Sequence, residues 1–172
     1  MNSISTHEKI FRRGNGQSVS YSEMVRIIAN YIKEDTTRKY EITVGTDSQS
    51  HDTTKMVEVI ALSRIGSGGI FFYHTDYVTK IRSLKTKIVE ETSRSLSNAE
   101  GLLDEVQLQL LEDGIDIDKL NIHFVIHCDI GHAGKTKELI NEITGWVEAS
   151  GYDCVIKPDS YTASGIANKI SK

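Results

Sequence analysis

Hydrophobic positions along the chain change period several times, and each change marks an element. Met24, Ile27, Ile28, Tyr31 and Ile32 recur at helical spacing behind Ser20 and Ser22, either of which can cap a helix, so an amphipathic N-terminal helix is predicted. From Tyr40 the period falls to two. Tyr40, Ile42 and Val44 alternate with Glu41, Thr43 and Gly45, and the run passes into Thr46-Asp47-Ser48-Gln49, read as a polar turn. Val57 to Ile65 and Ile70 to Tyr77 are β-rich runs joined by Gly66-Ser67-Gly68-Gly69, a link suited to an antiparallel hairpin, so the first three strands are expected to form a meander. A long helical stripe follows through Ile81, Leu84, Ile88, Ala99, Leu102, Val106 and Leu110, with Gly101 inside it arguing against one straight helix. Ile122, Phe124, Ile126 and Cys128 alternate with His123, Val125, His127 and Asp129 in a fourth strand. Lys137 to Ser150 reads as a helix closed by Gly151, Tyr152 to Ile156 as a fifth strand stopped by Lys157-Pro158, and Ser160 to Ile170 as a last helix rich in small residues.

The order is a helix, then β-β-β-α-β-α-β-α. It predicts an α/β fold in which a mixed five-stranded sheet carries helices on both faces, plus the N-terminal helix. Ligand sites in such sheets lie beyond the carboxyl ends of the parallel strands. Residues 1–16 are polar, with Gly14 and Gly16 ahead of the first regular element, and are expected to be a flexible N-terminal segment before a single domain over 17–172.

Composition removes some function classes. With 20 basic against 24 acidic residues the formal net charge is −4. Nucleic-acid binding, if present, must therefore come from a local patch rather than a global positive field. No apolar stretch approaches membrane-spanning length and the opening residues contain no apolar h-region, which predicts a protein neither exported by a signal peptide nor embedded in a membrane. The two cysteines, Cys128 and Cys154, lie inside apolar runs, where a thiol behaves as a small buried hydrophobe, and a reducing, cytoplasmic setting is expected.

Asp47 and Asp129 stand at the ends of the first and fourth strands, each at the parity opposite its strand's large apolar residues. If those strands are parallel neighbours, the two carboxylates share one end of one face, and a bound cation relieves their repulsion. Turn capping is the alternative reading, since Asp-Ser and Asp-Ile-Gly are ordinary loop chemistry. Glu91 lies three residues after Ile88 and four before Ser95, on the apolar stripe of its helix, where a carboxylate needs a partner unless it snorkels to water. Hard oxygen donors without a Cys or His cluster favour Mg²⁺ or Mn²⁺, and such ions held by carboxylates serve in-line phosphodiester displacement. His127, two residues before Asp129, shares its face and can orient a ligand, donate to a phosphate or stand as a plain strand histidine. His51 and His132 lie in loops near the same end. Lys80, Arg82, Lys85 and Lys87 gather at the head of the long helix, with Lys135 and Lys137 after the fourth strand; they suit either a polyanion or a solvated helix end. Gly134-Lys135-Thr136 lacks the earlier glycine of a phosphate loop, Asp129 standing at that position.

Several short motifs occur together: Gly45-Thr46-Asp47-Ser48-Gln49, Glu91-Thr92-x-x-Ser95-Leu96, His127-x-Asp129-Ile130, Gly134-Lys135-Thr136-Lys137-Glu138-Leu139-Ile140, and Lys157-Pro158-Asp159-Ser160-Tyr161-x-Ala163-Ser164. Jointly they resemble the YkuK family of bacterial proteins, over nearly everything from Tyr40 onward. The resemblance implies a ribonuclease H-like fold and a predicted nuclease, and with the carboxylate chemistry above the expectation is cleavage of RNA, RNA–DNA hybrid or DNA. Acidic residues on the first strand, the first long helix and the fourth strand bind metal in that fold, and by analogy Asp47, Glu91 and Asp129 take these roles. A fourth acidic residue is common on the last helix, but this chain has Ala167-Asn168 where an Ala-Asp pair is expected. Asn168 can ligate through its amide oxygen without adding charge, and Asp159, after Pro158, is placed either to substitute as a ligand or to cap the helix. Two other classes stay open: a non-catalytic nucleic-acid-binding protein of the same fold, and a nucleotide-binding phosphotransferase of the kind related folds host.

Overall fold

In the computed structural model, which describes residues 4–160, the alternation that begins at Tyr40 runs on as one long strand, β3 (Lys39–Ser50). To reach it the chain passes through β1 (Ile10–Arg13), β2 (Ser18–Ser20) and α1 (Tyr21–Lys33). The meander continues with β4 (Thr53–Arg64) and β5 (Gly69–Thr79), followed by α2 (Leu84–Ala99), α3 (Leu102–Glu112), β6 (Asn121–His127), α4 (Ile140–Ala149) and β7 (Asp153–Val155). Among the described residues these strands form one mixed seven-stranded sheet in the order β2-β1-β5-β4-β3-β6-β7. The strands from β2 to β3 pair antiparallel, whereas β3, β6 and β7 run parallel, joined by helical crossovers.

Even-numbered residues of β3, β4 and β6 (Tyr40, Ile42, Val44, Ile60, Leu62, Ile126) point into the main core, where they meet Ile28 and Ile32 of α1, Ile88 of α2, Val106 and Leu110 of α3, and Ile143 and Val147 of α4. Odd-numbered Val57, Val59 and Ala61 form a smaller cluster on the opposite face with Phe71 and Tyr73. Two-residue periodicity therefore sets which face each strand residue serves. Ser20 caps α1 by accepting a hydrogen bond from the Glu23 amide, as its position suggests. No helix among the described residues is long and apolar enough to cross a membrane.

Several expectations are corrected. The described part of the segment before Gly16 is not loosely held from Thr6 onward. Phe11 is fully buried, β1 pairs with both β2 and β5, and the Lys9 ammonium lies buried against Glu58 and Asn98. Glu58, on the helix side of β4, is wholly inaccessible. Its second oxygen accepts from Arg94 Nη1 at 3.1 Å, while Asn98 Nδ2 donates to the first at 2.7 Å. A carboxylate without water needs such partners, and Glu58 thereby ties the opening strand to α2. This hairpin accounts for the two strands beyond the predicted five. Thr46-Asp47-Ser48-Gln49 is strand rather than turn, paired with β4 as far as Ser50–Thr54, because the buried hydroxyls of Thr46 and Ser48 find partners on α2. The long helix breaks at Gly101, whose φ of 73° lies in the left-handed region that glycine adopts without penalty. The helix predicted over Ser160 to Ile170 lies outside the described residues but for its first.

Candidate metal centre

The last parallel pairs along the register are Gly45–His127 between β3 and β6 and His127–Val155 between β6 and β7. Two residues beyond each member of this row stand Asp47, Asp129 and Lys157. Equal offset from a shared register places the three at about the same height past the parallel part of the sheet. Here β3 has lost its β6 neighbour while still pairing with β4, so its edge facing β6 is open.

Helix α2 closes this corner. Thr46 Oγ1 and Ser95 Oγ lie 2.8 Å apart, and Ser48 Oγ donates to Glu91 Oε1 at 2.8 Å. Two residues along a strand and four along a helix cover nearly the same length, about 6 Å each, so a two-point clamp fixes the helix in register with the strand. The clamp explains why the buried side of α2 carries Glu91 and Ser95, while Asn98 there serves Glu58 and Thr92 donates to the Ile88 carbonyl. Together these constraints bring one carboxylate oxygen each from Asp47, Glu91 and Asp129 within 4.8 Å of one another.

The electrostatics of this cluster are unbalanced. Burial, more than any other influence, raises the Asp47 pKa above the ordinary carboxylate value, and the neighbouring Asp129 pushes the same way against Lys87 and Lys157. Glu91 is only 4% exposed. Burial lifts its pKa to about 8, with Asp47 and Asp129 adding to the effect and the Ser48 hydrogen bond opposing it. Its Oε2 is buried and accepts no hydrogen bond among the described residues. A buried carboxyl with an orphaned oxygen, in a group with two further carboxylates, is costly alone and fits a divalent cation, which can use all three as oxygen donors. The arrangement is compatible with a bound divalent metal ion.

The other residues singled out from sequence are placed unevenly. His127 is buried beside Glu91 and Asp129 along a narrow crevice, and burial lowers its pKa, favouring the neutral ring. Lys80, Arg82 and Lys87 line an open depression of about 360 Å³ with Ser50 at the head of α2, and the Lys87 charge reaches Asp47 and Glu91. Lys85 is exposed and pairs with Glu142 at 3.6 Å. Lys135, His51 and His132 are exposed in loops. Asp159 is exposed and is not among the three carboxylates that meet within 4.8 Å; Asn168 lies outside the described residues. Sequence reasoning missed Lys157 as a site residue. Its Nζ sits 2.8 Å from Asp129 Oδ1. The signal that could have found it is the strand register, since it follows β7 at the same offset as Asp129 follows β6.

The catalytic domain of Mos1 transposase, solved with raltegravir and Mn, gives a TM-score of 0.32 at 12% identity, over 87% of this chain and 70% of that one. The uncharacterized protein YkuK of Bacillus subtilis (strain 168) is 34% identical over 164 residues, covering 90% of this chain and 92% of its own length. The family model described as "Ribonuclease H-like" matches residues 23–172. The span of the family model takes in β3, α2 and β6 with the three carboxylates, and the chain belongs to the ribonuclease H-like family as a YkuK-type member.

Proposed function

We propose that the protein is a divalent-metal-dependent nuclease that hydrolyses phosphodiester bonds in RNA, RNA–DNA hybrid or DNA. The observation that carries the reading is the meeting of Asp47, Glu91 and Asp129 within 4.8 Å, with Glu91 Oε2 buried and unpartnered among the described residues. Asp47 and Asp129 present carboxylates from neighbouring parallel strands, and Glu91, anchored by Ser48, completes the ligand set from the helix side. Bound Mg²⁺ or Mn²⁺ supplies Lewis-acid polarisation of the phosphoryl group and lowers the pKa of water. Lys80, Arg82 and Lys87 grip the polyanion where α2 begins, with Lys85 and Lys135 as further exposed cations along its path. His127, beside Asp129 along the crevice and kept toward the neutral ring by burial, donates to the incoming phosphate.

A non-catalytic nucleic-acid-binding protein is the second reading, favoured by the ion pair through which Lys157 already neutralises Asp129. A cleavage panel over the three substrate types with Mg²⁺ or Mn²⁺ separates the two. Nuclease function predicts metal-dependent products that vanish in Asp47→Asn and Asp129→Asn. Binding without cleavage, unchanged by either substitution, favours the second reading.

A further inference from the structure

Lys157 belongs to the Lys-Pro-Asp-Ser-Tyr motif that the proposed chemistry leaves without a role. Its main chain is built into the end of the sheet. The Lys157 amide donates to the Ile130 carbonyl at 2.8 Å, the Cys128 amide to the Val155 carbonyl at 2.9 Å, and Ser160 Oγ to the Cys128 carbonyl at 2.8 Å. A Cβ at Gly131 would stand 2.9 Å from Lys157 Cβ, so the absence of a side chain there permits the close approach. The segments after β6 and β7 are thus laced together around Asp129, and the lysine stem has little freedom near its root. Its outer part is open to water, the side chain being 52% exposed, and the ammonium reaches Asp129 Oδ1.

A fixed stem with a free end, delivering a monovalent cation to one of three clustered carboxylates, has a specific consequence. The charge lies where a divalent ion must compete for the same carboxylate. Resting on the metal-site reading above, we infer that Lys157 is the resident counter-cation of the cluster, a positioning residue that holds Asp129 in place and yields it when a divalent ion binds. The ammonium offsets the repulsion between Asp47 and Asp129 in the metal-free protein, and it opposes metal binding by charge and by occupation of Asp129 Oδ1. A lysine serving only to brace the loop has the opposite effect, since its loss loosens Asp129 and weakens any metal site.

The test is isothermal titration of the full chain with Mn²⁺, comparing wild type, Lys157→Met, which keeps the apolar stem, and Lys157→Arg, which keeps the charge. Lys157→Gln provides a second neutral variant, and thermal unfolding verifies that each protein is folded. The expected result is Mn²⁺ binding tightened about 2- to 5-fold in both neutral variants, the scale of a partly exposed ion pair, with Lys157→Arg close to wild type. Equal or weaker binding in the folded neutral variants overturns the role of Lys157 while leaving the metal site standing. Absence of Mn²⁺ binding in wild type and variants alike refutes the metal site itself, and this inference with it.

Discussion

Replacing Glu91 by Gln perturbs the cluster at its most buried member. In the folded protein the carboxyl keeps its proton up to about pH 8, whereas in the unfolded chain it loses it near 4.5. Between these values the native state binds more protons than the unfolded one, so stability falls as pH rises and levels off above the folded pKa. At 1.36 kcal/mol per pH unit the interval amounts to about 5 kcal/mol of penalty above pH 8 in the absence of metal. Glutamine carries no titrating proton and can still accept from Ser48 through its carbonyl oxygen, but its amide group needs acceptors of its own, which offsets part of the gain. Glu91→Gln is therefore expected to be about 2–4 kcal/mol more stable than wild type at pH 8.5, with the advantage vanishing toward pH 4.5. Urea denaturation from pH 4.5 to 9 in EDTA measures it. Parallel stability curves for the two proteins, or a wild type that gains stability across this range relative to the variant, would refute the assignment of a strained buried carboxyl.

Two further perturbations probe the supports of the site. Lys9→Met removes a buried partner of the inaccessible Glu58 and is expected to cost about 3–5 kcal/mol in chemical denaturation; a loss below about 1 kcal/mol contradicts a docked N-terminal strand, and adding Glu58→Gln should recover part of it. Lys80→Gln with Arg82→Gln removes two cations from the depression at the head of α2. In fluorescence anisotropy with a single-stranded oligonucleotide in EDTA, the slope of log affinity against log salt should flatten by about 1.4, and an unchanged slope places the polyanion elsewhere.

The central part of this fold was legible because its signals are local. Tyr40, Ile42 and Val44 alternate strictly, the glycine-rich link after Ile65 marks a hairpin, and Glu91 on a buried stripe stands out by chemistry alone. Asp47 and Asp129 could be nominated from their positions near strand ends, although β3 continues past Asp47 because β4 accompanies it. What escaped depends on partners distant in sequence. Ile10 to Arg13 contains one fully buried residue, Phe11, and no alternation long enough to announce a strand; its docking follows from β5 and from Lys9 meeting Glu58. Lys157 next to a proline reads as a strand terminator. Its proximity to Asp129 emerges only from the β6–β7 register, which no local pattern encodes.

The claim beneath all of this is that Asp47, Glu91 and Asp129 grip one shared divalent ion. Electron paramagnetic resonance counts free Mn²⁺ directly as protein is added. Wild type should deplete the free-ion signal to a defined stoichiometry, and Asp47→Asn, Glu91→Gln and Asp129→Asn should each weaken binding by roughly tenfold or more, a loss that even outer-shell substitutions bring to metal sites. A free-ion signal unaffected by wild-type protein, or depletion that persists through all three substitutions, contradicts the account.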